Sequence, residues 1–183
     1  MGKGTVVQRV LREHPDVHLS VSVTTRPPRP GEREGVEYFF VDPSRFDELV
    51  ASHDLLEWAE IYGHRSGTPA EPIREARARG RDVLLEIDVQ GAGWVRRRIP
   101  EAVLIFLRPP SLEELERRLR ARGTESEEVL RRRLDKAEAE MAGASWFHHV
   151  VVNDDVDEAA SQVAAILRSV PPRDDIPTAK DVP

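Results

Sequence analysis

The chain has 183 residues, 39% of them hydrophobic and 33% charged, and a formal net charge of −6 at pH 7, which allows one substantial core and is short for two. Its longest apolar run, residues 103–107, is strand-sized and too short to cross a bilayer. Cysteine is absent, which excludes disulfides and thiolate metal sites, and the acidic balance argues against capture of nucleic acid by the overall field. The start, Met1-Gly2-Lys3-Gly4-Thr5-Val6, has no apolar signal core, and Val6 stands where a myristoylation signal requires Ser or Thr. A cytoplasmic address, with no membrane partner, is the expectation.

In chain order, residues 5–13 read as a helix and residues 17–23 as a strand in which Val17, Leu19, Val21 and Val23 alternate with more polar residues. A proline-rich loop fills residues 24–35. A strand over 36–41, a helix over 43–52 with Pro43 in its first turn and a strand over 55–62 follow, which suggests a small mixed subdomain. From Glu71 strands and helices alternate: a helix to Arg79 stopped by Gly80, a buried-looking strand over 83–88, a helix over 90–99 and a strand over 102–107. Ser111 with Glu114 three residues on forms a capping box for the next helix, and Ser126 opens a long amphipathic helix to about Met141. A strand over 149–152 and a helix over 156–167 close the pattern, and the proline- and charge-rich tail from Val170 is expected to be disordered. This alternation predicts an α/β fold with a mostly parallel sheet, helices on both faces, and ligands beyond the carboxyl ends of the strands.

Gly2-Lys3-Gly4-Thr5 at the head of a helix has the form of the end of a phosphate-binding loop, where backbone N–H groups hold phosphate and a lysine reaches the transferred group. Gly4 stands where that pattern places Ser or Thr, so a hydroxyl for magnesium would come from Thr5. As a tetrapeptide beside Met1 the motif is weak evidence. The segment Ser20-Val21-Ser22-Val23-Thr24-Thr25-Arg26-Pro27-Pro28-Arg29-Pro30-Gly31-Glu32, with Gly35 and Tyr38-Phe39-Phe40-Val41, is far more specific. Leu56-Glu57-Trp58-Ala59, Gly67-Thr68, Asp88-Val89-Gln90-Gly91, Pro109-Pro110-Ser111, Arg118 through Arg122-Gly123-Thr124, Arg133 and Val152-Asn153-Asp154-Asp155 continue it. From Gly2 to about Leu167 the chain resembles the guanylate kinases, P-loop proteins that phosphorylate nucleoside monophosphates.

The resemblance implies phosphoryl transfer from ATP to GMP with Mg²⁺, in purine nucleotide metabolism and GMP recycling. It implies a P-loop-type sheet with a GMP-binding subdomain at about residues 20–80 and a helical lid at about residues 117–140, within one domain over 1–170. Guanine presents N1–H and an exocyclic amino group beside the acceptor O6; a carboxylate accepts from both donors and a hydroxyl serves O6. By similarity Glu57 takes the carboxylate role and Ser22 the hydroxyl role, with Thr68 and Asp88 nearby, and Arg26, Arg29 and Tyr38 clamp the GMP phosphate. On the donor side the resemblance places Gly2, Lys3, Gly4 and Thr5 on the ATP phosphates, Asn153 and Asp154 near the adenosine, and Arg118, Arg122 and Arg133 in the lid, with Lys3 as catalytic groups. No direct metal ligand is expected apart from Thr5, and the six histidines show no metal spacing.

Two departures stand out. Where the family has a tyrosine two places before Thr68 this chain has Ser66, preceded by Arg65, which could substitute at the phosphate. The family also carries a strand and further glycines ahead of Gly2; the expectation is therefore residues upstream of Met1 in the natural protein and, without them, a sheet lacking a member between the strands at 83–88 and 102–107. A half-loop leaves open a non-catalytic binding module that uses the GMP cleft for GMP or phosphopeptides. A nucleic-acid binder built on the arginines of residues 117–133 is disfavoured by the interleaved Glu113, Glu114, Glu116, Glu127 and Glu128.

Overall fold

The computed structural model describes residues 2–122 and 126–170, Arg122 by its backbone alone. The motif residues Gly123 and Thr124 and the expected tail at 171–183 lie outside the described residues. In chain order the elements are α1 (Lys3–Glu13), β1 (His18–Leu19), β2 (Ser22–Thr24), β3 (Tyr38–Phe40), α2 (Pro43–Ala51), β4 (Leu55–Ile61), β5 (His64–Pro69) and α3 (Ala70–Ala78). They continue with β6 (Val83–Leu84), α4 (Val89–Arg98), β7 (Ile105–Arg108), α5 (Leu112–Arg122), α6 (Glu127–Ala142), β8 (His149–Val152) and α7 (Val156–Ser169). The fold is α/β with parallel strand pairs and helices, and it divides into two compact units, residues 15–102 and residues 2–14 with 103–170.

In the unit of residues 15–102, β2 lies between β3 and β5 in a four-stranded sheet of order β3-β2-β5-β4. Phe46 of α2 is fully buried on this sheet with Val23 and Leu55, and its ring meets Trp58 edge-on at 6.2 Å between centroids. Asp42 fixes the start of α2 by accepting from the Arg45 N–H at 2.8 Å, with Pro43 in the first turn, where its missing N–H costs nothing. A two-residue turn joins β4 to β5. Tyr62 and Gly63 have φ of 54° and 79°, positive at both positions as a type I′ hairpin requires.

Three sequence expectations fail here for identifiable reasons. The strand predicted over 17–23 is two strands: β1 pairs in parallel with β6, whereas β2 pairs with β3 and β5. Residues 64–67, which the sequence pattern places in no strand, belong to β5; the turn joining them to β4 carries Tyr62 where an Asn or Gly would have advertised a hairpin. The strand predicted over 83–88 forms a ladder only at Val83 and Leu84, the length of its partner β1, and Asp88 caps α4 instead of closing a strand.

In the other unit, β7 and β8 pair in parallel from Ile105 with His149 to Arg108 with Val152. Their core is Val6 and Val10 of α1, Leu107, Val151, and Ala159, Ala160 and Val163 of α7. The alanines let α7 approach α1 closely, and Val10 and Ala159 have no exposed surface. Helices α5 and α6 pack through Leu115 and Leu119 of the first and Leu130 and Ala137 of the second, spacings of four and seven that keep the apolar groups on one face of each helix. Ser111 accepts from the Glu114 N–H at 3.2 Å, the half of the capping box that forms. The Glu114 carboxylate is taken by Arg117 and Arg118 instead.

Candidate active site

The residues expected on the acceptor side all belong to the unit of residues 15–102. Antiparallel register places Glu57 of β4 opposite Thr68 of β5, and Thr68 Oγ1 donates to Glu57 Oε1 at 2.6 Å. An irregularity in the ladder between Leu55 and Glu57 re-aims the strand, so Leu55, Leu56 and Glu57 are all buried in succession. Glu57 is 4% exposed and Thr68 1%. Burial pushes the Glu57 carboxyl up to about 7; the Thr68 hydrogen bond and the Arg98 charge pull it down, and the Asp88 charge raises it.

Asp88 and Glu57 meet the first turn of α4 from two sides. The Asp88 side chain accepts from the Gly91 N–H at 2.9 Å as the helix cap. Glu57 Oε2 lies against Gly91, where an added Cβ would overlap it and stand 3.0 Å from Cδ. In the last turn of the same helix Arg98 donates to the Leu56 carbonyl and stacks on Trp94, 5.3 Å from its ring centroid. Glu57 is thus held by a cross-strand hydroxyl, a helix surface and a strand that Arg98 anchors. Ser22 opens β2, half-buried and in register with Tyr38.

Arg26 lies over the Tyr38 ring at 5.3 Å and the Phe40 ring at 5.9 Å, with one guanidinium nitrogen 2.9 Å from Glu32 Oε1. The other Glu32 oxygen accepts from the Arg29 backbone N–H at 2.7 Å, so one carboxylate closes the proline-rich loop between the two arginines. The arginine hydrogen bonds hold that carboxyl below its usual range, although its desolvation opposes them. The Arg29 side chain is exposed. Burial, with the charge of Glu86, raises the Tyr38 phenol further, so it stays a neutral donor. Arg65 points elsewhere: it pairs with Asp47, donates to the Pro43 carbonyl at 2.9 Å and lies over Phe46 at 4.8 Å. Ser66 Oγ donates to Thr24 Oγ1 at 2.9 Å.

The residues expected on the donor side belong to the other unit. Gly2 is the N-cap of α1 with φ 72° and no side-chain cap, which leaves the backbone N–H groups of the first turn turned outward. The same left-handed backbone brings Gly2 against Asn153; a Cβ there would stand 2.8 Å from Asn153 Nδ2. Lys3 is half-buried in the first turn, and Gly4 and Thr5 are exposed. Asn153, 1% exposed, directly follows β8, and its N–H donates to the Arg108 carbonyl at 2.7 Å.

Arg118 spans from α5 to this strand end. Its guanidinium donates to the carbonyls of Asn153 at 2.9 Å and Asp154 at 3.2 Å and pairs with Glu114 at 2.6 Å. Hydrogen bonds from Arg117 and Arg118, with their charges, pull the Glu114 carboxyl down to about 2. A cleft of about 290 Å³ opens here, bounded by Gly2, Thr5, Arg118, Leu119, Asn153 and Val156. Arg133 lies half-buried on α6, whereas Arg131 and Arg132 are exposed, and Arg132 pairs with Glu128. The Arg122 side chain lies outside the described residues. Sequence reasoning missed Glu32, Gly91 and Arg98; only the quoted motifs around the first two hinted at them.

Comparison with known proteins converges on one family. The family model described as guanylate kinase matches residues 1–170. A guanylate kinase of Thermobifida fusca (strain YX) is 55% identical over 167 residues, 91% of this chain and 85% of that protein. One of Corynebacterium efficiens is 53% identical over 169 residues, 91% of this chain and 89% of that protein. The crystal structure of guanylate kinase from Anaplasma phagocytophilum superposes with a TM-score of 0.76 at 36% identity, covering 90% of this chain and 79% of that one.

Proposed function

The chain belongs to the guanylate kinase family, and from that premise we propose how its own residues divide the work of moving a phosphoryl group from ATP to GMP. The enzyme yields ADP and GDP. The observation that carries the residue assignment is the buried, Thr68-bonded Glu57 carboxylate, an acceptor pair matched to the two adjacent donors of guanine. Adenine would turn its acceptor N1 toward that carboxylate, so AMP loses the hydrogen bonds and leaves a buried charge unpaired. Ser22 serves O6, and Asp88, fixed as the cap of α4, completes the guanine side with Thr68.

Arg26 and Arg29 with the Tyr38 hydroxyl hold the GMP phosphate. Glu32 and the aromatic rings orient Arg26 before substrate arrives, which lowers the ordering cost on binding. A phosphate oxygen of GMP attacks the γ-phosphorus of ATP; that P–O bond forms as the β–γ bridging bond breaks, with no protein nucleophile. Gly2, Lys3, Gly4 and Thr5 at the N-terminus of α1 stabilise the charge on the ATP phosphates, and Asn153 and Asp154 lie along the adenosine. Arg118, Arg122 and Arg133, in a lid at about residues 117–140, neutralise the transferred group.

Mg²⁺ bound to ATP supplies charge neutralisation between the phosphates. The described residues hold no cluster of His, Cys, Asp or Glu of the kind that grips a metal by itself, a donor set that suits an ion carried in on the nucleotide, with the exposed Thr5 hydroxyl as its protein contact. The setting we assign is cytoplasmic purine nucleotide metabolism and GMP recycling; no helix of the described residues is long and apolar enough to cross a membrane. Arg65 is committed to α2 and takes no part at the phosphate. A coupled assay of ADP formation from ATP and Mg²⁺ tests the reading. GMP is expected to support turnover and AMP to fail; equal rates with both would sink the Glu57 assignment.

A further inference from the structure

Glycine 91 occupies the third position of α4, inside a helix, where glycine costs about 1 kcal/mol relative to alanine. Nothing about the helix backbone requires it, since no positive φ occurs there. What it lacks is the point: Gly91 is buried, and a methyl group at its Cβ position would overlap Glu57 Oε2, approach Glu57 Cδ to 3.0 Å and Ile87 Cβ to 3.3 Å. Two residues on, a methyl at Gly93 would meet only Arg97 Nη1, at an ordinary contact distance of 3.8 Å. The two glycines share one helix and differ in what they face.

We propose that Gly91 is a specificity-determining residue: its empty side-chain position seats the Glu57 carboxylate so that both oxygens serve the guanine edge, and thereby sets the preference for GMP over its analogue without the 2-amino group, IMP. The inference rests on the reading of Glu57 as the guanine acceptor. Glu57 Oε1 is already positioned by Thr68 across the strand pair, so Gly91 governs where Oε2 lies. The carboxylate is the end of a flexible side chain, and a methyl at residue 91 would displace it at small cost to the fold while spoiling its pose. Asp88 strengthens the arrangement, because its bond to the Gly91 N–H fixes the turn against which Glu57 rests.

Binding of GMP and IMP, measured by titration calorimetry, tests this on the full chain and on Gly91→Ala, Gly93→Ala, Glu57→Ala and the Glu57→Ala/Gly91→Ala pair. Gly91→Ala is expected to weaken GMP more than IMP and cut their affinity ratio about tenfold, the worth of one charge-assisted hydrogen bond, whereas Gly93→Ala leaves the ratio unchanged. With Glu57 already removed, the added methyl should have no further effect. An unchanged ratio in Gly91→Ala, or an equal loss with and without Glu57, overturns the proposal. If Glu57→Ala alone leaves the ratio intact, the reading of Glu57 fails; if Glu57→Ala abolishes the preference and Gly91→Ala does not, the role of Gly91 alone fails. Should Gly91→Ala not fold, the paired variant must fold as Glu57→Ala does; if it does not, the overlap lies elsewhere and the proposal falls.

Discussion

Replacement of Glu57 by glutamine keeps the shape of the side chain and removes one acceptor, and the position of the group in the fold fixes what should follow. The carboxyl is 4% exposed and titrates at about 7. About a tenth of the molecules then carry an ionised Glu57 at pH 6 and about nine tenths at pH 8. Only the ionised form accepts both guanine donors, so the apparent affinity scales with that fraction and the KM for GMP should fall about tenfold across the interval. The GMP phosphate also titrates near pH 6, a contribution that Glu57→Gln shares. The quantity to read is therefore the difference in slope between the two proteins. In Glu57→Gln the amide N–H₂ confronts a guanine donor, and KM for GMP should rise about 10- to 100-fold with the KM for ATP unchanged. Steady-state kinetics at pH 6, 7 and 8 decide it. Identical pH slopes in both proteins, or equal losses for GMP and ATP, would refute the reasoning.

The same carboxyl makes a stability prediction of definite sign. Folding raises its pKa from 4.5 to about 7, so between those values the folded state holds more protons than the unfolded chain and stability falls as pH rises. Relative to Glu57→Gln, the natural chain should lose on the order of 3 kcal/mol across that window, read as converging or crossing thermal midpoints between pH 4.5 and 7.5; parallel curves would contradict it. Glu32→Gln removes the carboxylate that joins Arg26 to the Arg29 N–H, and a rise of about fivefold or more in KM for GMP is expected, with ATP unaffected in the same assay. Asp155 accepts from the N–H groups of Asp157 and Glu158 at 2.8 and 2.9 Å. Asp155→Ala should cost about 1 kcal/mol in a urea melt, with GMP affinity by calorimetry unaltered.

How much of this could be read from the sequence depended on whether a feature is local. The caps at Ser111 and Ser126 and the Pro43 start of α2 declare themselves because the chemistry sits within four residues. Strand β8 and helices α2 and α7 were found within a residue or two. The split of β1 from β2 could not be read, since alternation continues through Ser20 and only pairing partners distant in sequence distinguish the two halves. The hairpin to β5 was hidden by Tyr62, a residue seldom found at positive φ. In the proposed site, Glu57, Thr68, Asp88, Arg26 and Tyr38 carry the side-chain chemistry that their motifs announce. The parts proposed for Gly91 and Arg98 rest on what they approach in space, a missing methyl beside Glu57 and a guanidinium on the Leu56 carbonyl, which no spacing along the chain reveals.

The central claim is that this chain moves a phosphoryl group between nucleotides, and the most direct test follows the group itself. The protein is incubated with ATP labelled at the γ-phosphorus, Mg²⁺ and GMP, and the products are separated by ion-exchange chromatography. The account predicts label in GDP in step with the ADP formed, and none in ADP when AMP replaces GMP. Binding of GMP with no label in GDP, or label released only as inorganic phosphate, would contradict it.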